Sequence, residues 1–434
     1  MRKSFYLTIG IFFTVIFLFV FSVRYFENAN MEKLKNTSGY SIVLDNGEEI
    51  TLSKVSDKAI EYRKVNLNLW SINLVLGFAI PIIFVISGFG KKLSDYLGKV
   101  SNNYIIQLAL FFIIYVTISN LITFPLDYYR SFVHRHNFGL SNQSFYKWIT
   151  DYLKNFGLNN LVTSAFIWVP YFIIIKSPKR WWLYNGILFI PFLMFVTFIS
   201  PTYIDPLFNK YTSIQDKELQ RGIEHQLSMA GIGDSKVYQV NKSVDTKEMN
   251  AYMTGVFGSK RIVLWDTTIN NLTRGETLSI TAHEIAHYVM GHVWKSIVLG
   301  GLLFILVLYL VNKTILWILF HWGGVLGVTK IHHLAFMPMM ILVINIFLFL
   351  SNPITNTFSR YVERQADIYA IEMTKDNSSV ITSTIKLHEN SLVLPRASKI
   401  YEIWYYSHPS YYDRVELAKE YKPWRENKPL KYIK

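Results

Sequence analysis

Seven runs of apolar residues constrain this chain more than anything else in it. They are Phe5 to Val23, Leu69 to Phe89, Tyr104 to Phe124, Leu161 to Ile175, Trp181 to Ile199, Ile297 to Val311 and Leu334 to Leu350. An apolar stretch of about 18 or more residues spans the hydrocarbon layer as a helix. The fourth and sixth runs are the shortest and the least secure. In lipid every backbone N–H and C=O must be satisfied internally, so such runs fold as packed helices. Composition agrees, with 51% hydrophobic and only 17% charged residues, against about 25% charged in soluble domains. That balance excludes an ordinary soluble protein, and it excludes disorder. The first run follows Arg2-Lys3 as in a signal peptide. Tyr25-Phe26-Glu27 stands where a small-residue cleavage site belongs, so the run is expected to be a retained anchor. Pro81, Pro170 and Pro191 lie inside apolar runs and are expected to kink them.

If all seven runs cross, residues 24–68, 125–160, 201–295 and 351–434 share one side of the membrane. The N-terminus and the loops 90–103, 176–180 and 312–333 share the other, with His321 to His333 as a glycine-containing turn. The expected organisation is mainly α. Residues 1–200 hold five spans, 201–295 the first part of a catalytic region, 296–350 two more spans, and 351–434 the rest. Within 24–68, Asn46-Gly47 separates Ser41 to Leu44 from Glu49 to Leu52, which predicts a small hairpin. The short loops carry Lys91, Lys92, Lys99, Lys176, Lys179 and Arg180. Taken alone, they belong in the cytoplasm.

The net charge is +14. It suits contact with an anionic bilayer, and no nucleic-acid-binding motif accompanies it, so no nucleic-acid partner is expected. There is no cysteine. Disulfides, thiolate nucleophiles and cysteine-held metals are therefore excluded. A metal in this chain must sit on His, Asp or Glu.

One segment carries such a set. Thr273-Arg274-Gly275-Glu276 has the form of a capping box. His283-Glu284-Ile285-Ala286-His287 follows on the same predicted helix. His283 and His287 lie one turn apart on one face and can hold one Zn²⁺, with Glu284 placed to act on water there. A third protein ligand is needed. Val293 stands where the metzincin pattern needs a histidine. His292 lies five residues past His287, about 140° round a continuous helix, and is expected to pack at the helix end or behind a ligand. A better candidate is the helical pattern from Ser359 to Met373, where Glu363 can ligate and Asp367, one turn on, can hold a ligand histidine from behind. Two expected spans separate His283 from Glu363, so both face the same side. Lys295 follows His287 by about 12 Å of helix, which puts the metal at the membrane boundary. Lys260 to Asp266 is expected to form a short edge strand able to pair with an extended peptide.

These features resemble the type I CAAX prenyl proteases, integral-membrane zinc metallopeptidases of the M48 peptidase family. The resemblance rests on HEIAHYVMGH, on SRYVERQAD, and on Asn250-Ala251-Tyr252 with the stretch Gly258 to Asp266. It extends to His408-Pro409-Ser410 with Asp413-Arg414 and, more loosely, to Pro125 to Gly139 and Asp205 to Tyr211. It implies a chamber walled by seven helices, with one Zn²⁺ facing in and the catalytic side in the cytoplasm, against the short-loop charge count. It implies that His408 stabilises the oxyanion, that Asn250 binds substrate backbone, and that Arg414 positions groups or supplies charge. It also implies peptide or protein substrates, prenylated ones among them. The richness in Ile, Asn, Lys and Tyr suggests an AT-rich genome and a bacterial cell membrane, or the endoplasmic reticulum in a eukaryote. Three other readings compete. A seven-span transporter or receptor has no need of H-E-x-x-H. A site-2-type protease takes its third ligand from an Asp-Gly pair, which is missing after the motif. A general membrane-protein quality-control protease without prenyl specificity fits the same residues.

Overall fold

The computed structural model describes residues 1–434 except 44–46, 48, 53, 256–258 and 434. The chain opens with α1 (Arg2–Lys35), a hairpin of β1 (Tyr40–Val43) and β2 (Glu49–Leu52), and α2 (Asp57–Ile86). α3 (Phe89–Val100), α4 (Tyr104–Tyr128) and α5 (His134–Asn137) follow, and then α6 (Phe145–Phe166), α7 (Trp168–Lys176) and α8 (Trp181–Ile199). Ser56, Asn103 and Ser144 accept backbone N–H groups at the starts of α2, α4 and α6, which supplies partners that the first helical turn otherwise lacks. The paired strands fit the expected hairpin, while Leu44 and the turn residue Asn46 lie outside the described residues.

Seven helical segments are long and apolar enough to cross a membrane: Arg2–Lys35, Asp57–Ile86, Tyr104–Asn137, Phe145–Lys176, Trp181–Ile199, His292–Leu326 and Leu334–Thr374. They contain six of the seven apolar runs whole and the run Leu69 to Phe89 as far as Ile86, and six of them reach well beyond the runs. Much of 24–68, 125–160 and 351–374 therefore continues the spanning helices instead of forming separate loops. Helix propagation is cheap once a turn exists, so polar residues extend helices that the apolar runs begin. One further expectation is corrected. Residues 321–326 are helical, and the turn starts only at Gly327, whose φ of 63° ends the helix. The chain runs through Pro81 and Pro191 inside single helices, whereas Pro170 lies near the junction of α6 and α7.

The second half begins with β3 (Tyr211–Thr212), α9 (Lys217–Met229), β4 (Lys236–Val240), β5 (Ala251–Thr254) and β6 (Arg261–Trp265). α10 (Asp266–Asn271), α11 (Arg274–Val289), α12 (His292–Leu326) and α13 (Met337–Thr374) come next, and α14 (Asn377–Asn390), α15 (Lys399–Tyr405) and α16 (Tyr411–Glu420) complete the chain. The four-stranded sheet has the order β3-β4-β6-β5, with β4 and β6 parallel. Here the sequence misleads: β6 is interior, and the edge strands are β3 and β5. Ile262, Val263 and Leu264 are fully buried, as expected of a strand covered on both faces. Gly258, just before it, lies outside the described residues.

Two packing layers position the site. In the membrane, α8 lies against α12 through glycines. A Cβ on Gly186 would come within 2.6 Å of Ile305, and one on Gly301 within 2.5 Å of Ile190. Small residues at such crossings let helices approach closely. Beyond it, Ile223, Leu227, Ile262 and Leu264 form a core with Ile285 and Ala286 of α11 and Ala366 and Tyr369 of α13. That core holds the two motif-bearing helices side by side.

Candidate metal centre

α11 starts at a complete capping box. Thr273 accepts the Glu276 N–H, and Glu276 accepts the Thr273 N–H. Its opposite face is core, so the face with His283 and His287 is fixed. Their Nε2 atoms lie 3.1 Å apart. Glu363 Oε2 is 3.2 Å from His283 Nε2, and Glu363 Oε1 is 3.5 Å from His287 Nε2. Ligand atoms about 2.0–2.1 Å from a tetrahedral ion are about 3.3–3.4 Å from one another. Each histidine nitrogen is near that spacing from one Glu363 oxygen or the other, and one ligand atom from each of the three residues lies within 4.8 Å of the other two. Glu363 Oε2 is also buried without a hydrogen-bond partner among the described residues, which is costly for a carboxylate unless a cation meets it. The donor set fits a divalent metal ion.

The outer nitrogens orient the rings. His283 Nδ1 is 3.0 Å from Asp367 Oδ1. A proton on Nδ1 leaves Nε2 with its lone pair facing the other donors. Burial lowers the His283 pKa, but Asp367 and Glu363 outweigh it and raise it to about 10. The pocket thus attracts positive charge. Arg414 holds Asp367 from behind, with Nη2 donating to Oδ1 at 2.6 Å and Nε to Oδ2 at 3.0 Å. This contact fits the positioning role among the two expected for Arg414.

His292 reaches the site by a route the sequence did not suggest. α11 stops at Val289, and Gly291, at φ 66°, turns the chain before α12 begins. His292 folds back so that its Nδ1 is 3.1 Å from His287 Nδ1, while its Nε2 is 3.2 Å from Gln365 Oε1. The 140° offset assumed an unbroken helix. One consistent tautomer set has His287 Nδ1–H donating to His292 and His292 Nε2–H donating to Gln365, which again frees a ligand-side Nε2.

Glu284 lies beside both histidines. Burial pushes its carboxyl up, and His283 and His287 partly offset this. His408, exposed in the cleft, has Nε2 3.4 Å from Glu363 Oε1, and its Nδ1 meets Ser407 Oγ at 2.9 Å. Asn250 ends the loop before β5. Its N–H donates to Thr268 Oγ1, and its own Oδ1 accepts the Ala251 N–H at 2.8 Å. The Trp265 N–H donates to the Asn250 carbonyl. By antiparallel alternation Met253 then turns its N–H and C=O away from β6, toward the free edge. Tyr252 anchors that edge to the end of the fifth span, because its hydroxyl donates to Asp205 Oδ2 at 3.0 Å, beside Tyr211. Thr268, Gln365 and Tyr252 were not singled out as site residues by their pattern. Each acts through a partner at least 18 positions away, a distance at which local spacing carries no signal.

A bundle of spanning helices bearing an H-E-x-x-H centre at its water-side end defines a membrane metalloprotease. The chain belongs to peptidase family M48. The family model of that description matches residues 213–422, and a model described as the CAAX prenyl protease N-terminal region of five membrane helices matches residues 45–210. The chain is 32% identical to "Uncharacterized metalloprotease YhfN" of Bacillus subtilis, over 87% of this chain and 88% of that protein. It is 28% identical to a CAAX prenyl protease 1 homolog of Dictyostelium discoideum, over 93% and 94%. Its fold is similar to the crystal structure of S. mikatae Ste24p, with a TM-score of 0.78 and 23% identity, covering 94% of this chain and 99% of that one.

Proposed function

We propose that this protein is a zinc-dependent endopeptidase that hydrolyses peptide bonds of membrane-associated substrates, with processing near the C-terminus of CAAX-type proteins as its reaction. The observation that carries the reading is the donor triangle of His283, His287 and Glu363, spaced for a tetrahedral ion beside a free carboxylate, Glu284. Bound Zn²⁺ supplies Lewis acidity for the scissile carbonyl and acidifies a water.

The chain's own groups do the rest. Glu284 takes a proton from the attacking water and delivers it to the departing amine. Burial, by raising its pKa, makes it a stronger base than an exposed glutamate. Ser407, donating to His408 Nδ1, leaves the His408 proton on Nε2, aimed into the cleft as a donor for the oxyanion. β5 binds the substrate as an added strand through Met253, and the free amide of Asn250 extends that ladder. Arg414 and Asp367 keep the His283 ring in register.

The catalytic side is assigned to the cytoplasm of a bacterial cell membrane. A C-terminal tag resistant to protease in right-side-out vesicles supports this, and a digested tag overturns it. A second reading has one specific support: the 32%-identical relative is named for metalloprotease activity alone. On that reading the protein is a general membrane-protein protease. Paired peptides that differ only by a prenyl group, with a chelator control, separate the two. Faster chelator-sensitive cleavage of the prenylated member supports CAAX-type processing, and equal rates support the general protease.

A further inference from the structure

α12 begins beside the metal centre, and α13 carries Glu363 of that centre toward its C-terminal end. At their other end, roughly 50 Å away along α12, a cavity of about 420 Å³ opens between span ends. It is bounded by the start of α1, the end of α2, α3, the end of α12 and the start of α13. Its charged lining consists of Arg2, Lys91, Lys92 and Asp95. Phe84, Val85 and Met339 contribute an apolar wall. The metal centre does not use any of these residues.

Three cations and one carboxylate line this cavity. Arg2, Lys91 and Lys92 make no ion pair or side-chain hydrogen bond among the described residues. Surface cations normally spread apart, since like charges repel. The backbone helps keep the cavity open, because a Cβ on Gly327 would sit 2.9 Å from Lys91 Nζ. α3 supports the same geometry. It buries Gly90, Leu93 and Leu97 against the bundle and leaves Lys91, Lys92 and Lys99 solvent-exposed, the pattern of a helix lying in a membrane interface. A ligand matched to this site must be anionic at one end and apolar at the other, at the depth where spans end. A free phosphate satisfies the cations and leaves the apolar wall unused.

We propose that this cavity binds the phosphate group of an anionic phospholipid, with Arg2, Lys91 and Lys92 around the phosphate and the apolar wall against the acyl chains. Basic side chains near an anionic headgroup each strengthen its binding, so losing two lysines weakens binding by roughly tenfold or more.

The test uses the full-length protein in detergent, by native mass spectrometry and lipid titration. Phosphatidylglycerol and phosphatidylcholine with identical chains are compared, and inorganic phosphate is added as a competitor. The expected result is selective retention of phosphatidylglycerol, about tenfold weaker in the double variant K91Q/K92Q and unchanged in K179Q, a same-face lysine outside the cavity. Equal retention of both lipids overturns the proposal, as does unaltered phosphatidylglycerol binding in the double variant. Displacement by inorganic phosphate at equal concentration reassigns the site to a soluble anion and overturns the lipid. If the double variant does not fold, a photo-crosslinkable phosphatidylglycerol on the unaltered protein decides. Label confined to 84–95 and 324–339 supports the site, and label spread round the bundle overturns it.

Discussion

Arg414 forks onto Asp367 through two nitrogens, at 2.6 and 3.0 Å, and so presses the carboxylate that faces His283 Nδ1 into place. The pair ties α16 to α13 directly behind the donor triangle. R414A leaves a buried carboxylate without its cation. The expected outcome is metal affinity lower by roughly 10–100-fold, read by chelator competition. R414K recovers only part of it, because a lysine cannot reproduce the two-pronged contact.

Glu284 should separate chemistry from metal binding. E284Q is expected to abolish peptide hydrolysis while metal content, measured by elemental analysis, stays at the level of the unaltered protein. Retained chelator-sensitive cleavage would remove Glu284 from the mechanism.

Glu363 should do the opposite. E363A removes one corner of the triangle, and metal stoichiometry is expected to fall well below one per chain. Unchanged stoichiometry would mean that another group is the third ligand.

Among the described residues His408 hydrogen-bonds to a side chain and not to backbone, so its loss tests a chemical role. H408F is expected to lower kcat by about 10²–10³ with KM and metal content nearly unchanged. A rise in KM at constant kcat would instead make it a substrate-binding residue.

The capping box of α11 predicts an acid limit on stability. Glu276 is desolvated, which raises its pKa, but Lys386 at 2.8 Å and the Thr273 N–H outweigh this and hold it below its ordinary 4.5. A depressed carboxylate stabilises the fold above its unfolded pKa and loses that contribution as pH falls through the folded value. Melting temperature in detergent should therefore drop below about pH 4.5. E276Q is expected to flatten this part of the profile. An unchanged slope would place the acid sensitivity elsewhere.

Much of this protein was legible in the chain itself. Apolar runs such as Phe5 to Val23 announce spans because lipid leaves the backbone no alternative to helix. His283 and His287 announce a shared face because four residues make about one helical turn. Thr273 and Glu276 announce a helix start because their side chains serve the backbone within three positions. All of these are local constraints, and local constraints are written in spacing. The sequence was less reliable where an outcome depended on what lies alongside. Lys260 to Asp266 read as an edge strand, yet β6 is interior, because β4 pairs on one side of it and β5 on the other. His292 read as packing at the helix end or behind a ligand, and it does stand behind His287, but a left-handed glycine, Gly291, and not a continuous helix brings it there. The spacing of Glu363 and Asp367 allowed a metal role, but only the packing of α13 against α11 brings Glu363 to within 3.2 Å of His283. The sequence by itself therefore determined the spans, the metal-type helix and the side of the membrane they share. Tertiary structure decided which strand lies at the edge beside β6, which residues stand behind the donor histidines, and which span ends bring Arg2, Lys91 and Lys92 to one cavity. Each of those outcomes depends on contacts between distant segments, and a single chain's spacing does not encode them.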